Sequence, residues 1–177
     1  MTNVINKIVY SLFVLLIFGW SNVFAAEESP QDVVKKYYSA DLNGVRLSGK
    51  TYKAIKPLIA WEHEPGWDYA FITDDVKIYN TQKISNTEVS VEVRYHIIGI
   101  LGGDSLSEYD FSEVIDFVLS QDGKKWRIKK PIFPPHISSS SAIKQIEGLI
   151  RSEKTEDKNR TANLKNTLER LKNIGKP

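Results

Sequence analysis

An α+β fold, with helices packed on the concave face of a curved antiparallel sheet, follows from three features of the sequence. Apolar residues recur at helical spacing up to Trp61, the period drops to two between Trp67 and Lys130, and helical spacing returns after Ser138. The arrangement expected is two N-terminal helices packed on the sheet, followed by a C-terminal helix.

Ser29-Pro30-Gln31-Asp32 opens the first helix. Ser29 is a good N-cap, Pro30 suits the first helical position and Asp32 complements the dipole. Val33, Val34, Tyr37, Tyr38 and Leu42 form its apolar stripe, and Asn43-Gly44 ends it. Thr51 to Trp61 reads as a second helix carrying Tyr52, Ile55, Leu58 and Ile59, short or kinked because Pro57 interrupts it. Tyr69 to Thr73 and Val76 to Ile84 read as short strands joined through Asp74-Asp75. Thr87 to Leu101 is the clearest strand, with Val89, Val91, Val93, Tyr95, Ile97 and Leu101 on one face and Glu88, Ser90, Glu92, Arg94 and His96 on the other. After the turn Gly102-Gly103-Asp104-Ser105, Tyr109 to Leu119 points Phe111, Ile115, Phe117 and Leu119 inward. Asp122-Gly123 makes a tight hairpin into Lys125 to Lys130, and Pro131 to Pro135 stops the sheet. Ser138 to Ser141 lead into a helix with Ile143, Ile146, Leu149 and Ile150. In the polar tail that follows, Leu164, Leu168 and Leu171 restore a helical stripe. Spacing fits both a helix leaving the domain and one docked on it.

The N-terminus carries an export pattern. Lys7 precedes the apolar run Ile8 to Phe18, and Val23-Phe24-Ala25 offers small residues at −3 and −1 for cleavage after Ala25. An uncleaved anchor is the other reading, but a spanning helix needs about 20 apolar residues and this run is about half that. The organisation expected is a signal peptide at 1–25, one domain at 26–151 and a polar helical tail at 152–177, with a periplasmic or secreted product. The membrane is met only during export. With no cysteine in the chain, neither a lipid anchor nor a disulfide is available. A net charge of +2 offers no strongly basic face for nucleic acid. The run Lys124 to Lys130 is basic, yet it alternates Lys125, Arg127 and Lys129 against Trp126 and Ile128, as a strand with one solvated face does.

Ser29-Pro30-x-x-Val33-Val34-x-x-Tyr37-Tyr38 resembles the opening helix of the nuclear transport factor two-like (SnoaL-like) superfamily. Asp122-Gly123-Lys124-Lys125-Trp126-Arg127-Ile128 is similar to the superfamily's last strand. Over residues 29 to 150 the chain looks most like a group of bacterial envelope domains within it whose function is not assigned. The resemblance implies a cone-shaped, cystatin-like fold enclosing a pocket. In some relatives, such as ketosteroid isomerases and polyketide cyclases, that pocket is an active site. In others it binds a ligand, mediates dimerisation or is filled by side chains, so the fold does not fix function.

Two places have the composition of a site. Glu113 falls on the apolar face of its strand, where desolvation would suit a general base or acid. A bulge or an edge position would instead leave it in water. The loop Trp61-Glu62-His63-Glu64-Pro65-Gly66-Trp67-Asp68, with Tyr69 after it, is the densest cluster of aromatic and titratable groups, and the resemblance places it near the pocket mouth. Trp61 and Trp67 suit either the walls of a ligand site or the core, Glu62, His63, Glu64 and Asp68 suit polar contacts, and Tyr69 is a further ligand-binding candidate. His63, His96 and His136 lie far apart and no metal-ligand spacing occurs, so neither metal nor cofactor is expected. Three functions follow. The first is a non-enzymatic domain binding a small apolar ligand, a peptide or a partner protein, a homodimer included. The second is an isomerase- or cyclase-like enzyme using Glu113 as base. The third is an interaction protein acting through Leu164, Leu168 and Leu171.

Overall fold

The computed structural model describes residues 28–153 and 158–175. The export signal and the cleavage site after Ala25 lie outside them. No helix among the described residues is long and apolar enough to cross a membrane.

Helix α1 (Pro30–Leu42) begins as its sequence dictates. The Ser29 hydroxyl accepts from the Asp32 amide at 3.2 Å, and the Asp32 carboxylate accepts from the Ser29 amide at 3.2 Å. This reciprocal cap satisfies donors that the first helical turn leaves free. Val33, Val34 and Tyr37 are buried. Gly44, at φ 74°, turns the chain in a conformation that disfavours any side chain.

The expected second α-helix is absent. Val45–Leu47, Tyr52–Ala54 and Lys56–Leu58 form three short 3-10 turns instead. Pro57 has no N–H to donate and its ring opposes the α-helical path at the Lys53 carbonyl, so the stretch from Tyr52 to Leu58 does not continue as an α-helix. The apolar spacing still directs side chains into the core. Tyr52, Ile55 and Ile59 are buried, and the Ala60 amide donates to the Ile128 carbonyl at 2.8 Å.

Five strands follow: β1 (Tyr69–Lys83), β2 (Glu88–Gly102), β3 (Ser105–Asp122), β4 (Lys125–Lys130) and β5 (His136–Ile137). They order as β4-β3-β2-β1-β5 in one sheet curled into a half-barrel, antiparallel except where β5 runs parallel to β1. β1 is one strand, not two. Asp74 is an extra residue in its ladder, so the polar stretch is a bulge that bends the strand without ending it. A second irregularity, around Ile98, breaks the alternation expected along β2. Val91 to Ile97 serve a core beneath α1, whereas Ile98 and Leu101 serve a second core.

That second core is covered by two C-terminal helices, α2 (Ser139–Ser152) and α3 (Lys158–Asn173), so the helical tail is docked. The serines that open α2 dock it on α1. The Leu42 carbonyl accepts from the Ser138 amide at 3.0 Å, the Ser138 hydroxyl at 2.9 Å and the Ser141 hydroxyl at 2.7 Å. α3 packs back on the sheet with Leu164 and Leu171 fully buried. Thr167 donates to the Asp104 carbonyl at 2.7 Å and Arg170 to the Leu106 carbonyl at 2.9 Å. Of its leucine stripe, Leu164 and Leu171 are thus turned to the second core.

Candidate functional site

The α1 stripe runs Val34, Tyr37 and then Asp41, so a carboxylate sits where an apolar residue would complete the helix face. Asp41 has no solvent exposure and meets Arg46, also without exposure, at 3.1 Å. Its Oδ2 accepts from the His136 amide at 3.0 Å as well. The Arg46 guanidinium spans the interior from there. Its Nε donates to Glu64 Oε1 at 2.9 Å, and its second terminal nitrogen contacts Glu64 and the Phe133 carbonyl. Burial alone would weaken the guanidinium as a base, but Asp41, Tyr37 and Glu64 outweigh it and hold the group above its ordinary value. Burial pushes Asp41 up despite the partial compensation from Arg46 and the His136 amide.

Glu64 passes this order to the loop above. Trp67 donates its indole N–H to Glu64 Oε1 at 3.0 Å, and Trp61 lies 3.4 Å from Oε2. The two tryptophans part here. Trp61 turns inward, edge-on to Tyr37 at 6.3 Å, and is a core residue. Trp67 turns outward with His63, Asp68 and Tyr69 to line a cleft of about 670 Å³. Tyr52, Lys53, Lys56 and the Arg46–Glu64 pair line it too. Neither lysine forms an ion pair among the described residues, whereas His63 Nε2 stands 3.8 Å from its neighbour Glu62. The cleft thus joins an aromatic surface to a rim carrying both signs of charge.

Glu113 is elsewhere. It keeps the core-facing side of β3, opposite Tyr95 in register, but its side chain is 41 % exposed because β3 has no neighbour there. Its Oε2 lies 3.6 Å from Nε2 of His136, whose buried ring is packed by Tyr95 at 4.5 Å and Phe71 at 4.9 Å. Phe111, expected inward beside it, is 41 % exposed for the same reason. The phenol oxygens of Tyr37 and Tyr95 are buried without a hydrogen-bond partner among the described residues, and burial raises both phenols well above their usual value. They sit among side chains that fill the interior: Tyr37 is edge-on to Phe117 at 5.7 Å and to Phe133 at 6.3 Å.

Sequence reasoning thus locates six residues of the cleft, Glu62, His63, Glu64, Trp67, Asp68 and Tyr69, and misses Arg46, Tyr52, Lys53 and Lys56. Asp41 carries the one available signal for the buried pair, an acid on an apolar stripe. Among the described residues no group of three or more histidine, aspartate and glutamate side chains gathers to hold a metal. Comparisons with protein-family models, with curated proteins and with solved structures find no significant match for this chain.

Proposed function

We propose that this chain is an exported, non-enzymatic binding domain, on a cone-shaped sheet like that of the nuclear transport factor two-like superfamily. It holds a small ligand with a flat apolar body and an anionic group in the cleft beside Trp67. The observation that carries the reading is the cleft itself. Its volume lies within the range of about 300–1,000 Å³ usual for small-molecule sites, and it combines an aromatic wall with two lysines that have no ion-pair partner among the described residues. The Arg46–Glu64 pair makes it preformed, because Trp67 is anchored through its indole nitrogen before any ligand arrives.

A base-catalysed reaction at Glu113 is the less supported reading. Glu113 stands half-exposed beside the buried ring of His136, and the phenols that would donate to a ligand oxygen are enclosed by aromatic packing. The test is a titration with 1-anilinonaphthalene-8-sulfonate, a flat apolar anion, followed by its own fluorescence and by energy transfer from tryptophan. Saturable binding is expected, with energy transfer reduced in Trp67→Phe and affinity lowered about tenfold in Lys53→Glu/Lys56→Glu, the effect of about 1.4 kcal/mol. Binding insensitive to all three changes, or none below about millimolar probe, would remove the cleft from consideration.

A further inference from the structure

The two ends of β3 are treated differently. β4 covers Val118 to Asp122, and Arg170 reaches the Leu106 carbonyl and Glu108 at the other end. Between them, residues 111–117 pair with β2 on one side only, Tyr109 and Asp110 fall in the adjoining irregularity, and no backbone hydrogen bond from another described residue reaches the outer side of 109–117. An open edge of this length is unusual, since exposed N–H and C=O groups invite a further strand. It is also apolar: Tyr109, Phe111 and Val114 are 49 %, 41 % and 51 % exposed.

Charge says what kind of strand fits. Residues 107–117 contain Glu108, Asp110, Glu113 and Asp116 and no lysine or arginine. Arg170 pairs with Glu108, and the His96 ring hydrogen-bonds to Asp110. Asp116 stands directly opposite Glu92 of β2, and neither forms an ion pair with a described cation. Like charges directly opposed across a ladder are unfavourable, so the pair wants a cation from outside. Asp116 and Glu113 border a hollow of about 520 Å³ with Val114 and Pro131, at the point where β4 leaves the edge. Lys130 lines the same hollow but forms no ion pair among the described residues. A second copy of the chain does not suit: antiparallel self-pairing centred on Ser112 would set Glu108 against Asp116.

We infer that the open edge of β3 receives an extended basic segment of another protein, added antiparallel as β4 is on the same edge. Its cations would stand opposite Asp116 and Glu113, with apolar side chains opposite Val114 and Phe111. Backbone pairing supplies affinity and the alternating side chains supply selectivity. The spacing reads Lys-x-apolar-Lys-x-apolar. This surface shares no residue with the cleft, so it stands or falls separately from the ligand reading.

The probe is a peptide of Lys-Thr-Val repeats, compared with one of Lys-Pro-Val repeats. The latter has equal charge but lacks the N–H groups a ladder needs. With the full chain, Lys-Thr-Val is expected to bind at least about tenfold tighter than Lys-Pro-Val, a difference of about 1.4 kcal/mol. It should protect the amides of 109–117 from hydrogen exchange and lose about tenfold in affinity on Asp116→Lys, an exposed position. Equal binding of both peptides means a mere charge patch, and protection elsewhere means another site. Either result, or no binding, overturns strand addition. So does a dimer in sedimentation that Val114→Lys dissociates, which assigns the edge to a second copy.

Discussion

Asp41 and Arg46 place two full charges where neither side chain touches solvent. Together they are a poor source of stability, because desolvating both costs about what their attraction returns. Separately each is a serious liability. Arg46→Met leaves the Asp41 carboxylate buried with only the His136 amide and is expected to cost about 3–5 kcal/mol. Asp41→Leu/Arg46→Met removes both buried charges and leaves the His136 amide, the Phe133 carbonyl and Glu64 without these partners, at about 1–3 kcal/mol for each buried group left unpaired. The double variant should therefore be more stable than Arg46→Met alone in urea denaturation. If Arg46→Met unfolds within about 0.5 kcal/mol of the native chain, in the range of a surface change, the pair is not an internal strut. Glu64 depends on Arg46 too, so the same variant should loosen Trp67 and blunt its fluorescence response at the cleft.

At the scale of elements, His96 ties three strands. Its Nδ1 lies 2.7 Å from Asp74 of β1 and its Nε2 lies 2.8 Å from Asp110 of β3, each aspartate beside a bulge in its own strand. The bond from Asp74, then that from Asp110, raises the imidazole above its ordinary 6.5. A histidine raised in the folded state stabilises fully below its unfolded value and loses that contribution as pH climbs through the folded one. The thermal midpoint should thus fall as pH rises from about 6 toward 9, with a smaller fall in His96→Gln. Parallel profiles for the two proteins would show that the bridge carries no linkage. This bridge also marks the limit of what the sequence discloses. Thr73-Asp74-Asp75 reads as a break because three polar residues interrupt the alternation, and only the ladder shows that Asp74 is an inserted residue in a continuous strand. β5 has two residues, too few for any period. The segment 51–61 has true helical spacing, but one missing N–H at Pro57 outweighs it. In the cleft, the run 62–69 is legible because its aromatic and charged residues crowd together. Lys53 and Lys56 are hidden inside an expected helix, and Arg46 finds Asp41 only after the turn at Gly44.

For the whole molecule, the question is whether the C-terminal helix belongs to the fold or to a partner. α3 seats Ile174 so close to the sheet that a Cβ on Gly99 would stand 2.9 Å from its Cδ1, and Leu164 and Leu171 close the second core over Ile98, Leu101 and Leu106. Two fully buried leucines contribute about 1.5–3 kcal/mol each, against a total of about 5–15 kcal/mol for a domain. Deleting residues 153–177 is therefore expected to lower unfolding free energy by about 3–6 kcal/mol and to shift the urea midpoint sharply downward. Leu164→Ala/Leu171→Ala should reproduce much of the loss in the intact chain, at about 2 kcal/mol per leucine, the lower end for such truncations. Lys165→Ala, on the exposed face of the same helix, should stay within about 0.5 kcal/mol of the native protein. A helix that served only a partner would give the opposite pattern, with full stability after deletion and assembly lost. The burial of its leucines ties α3 to the domain, and the proposals for recognition therefore rest on the cleft beside Trp67 and the open edge of β3.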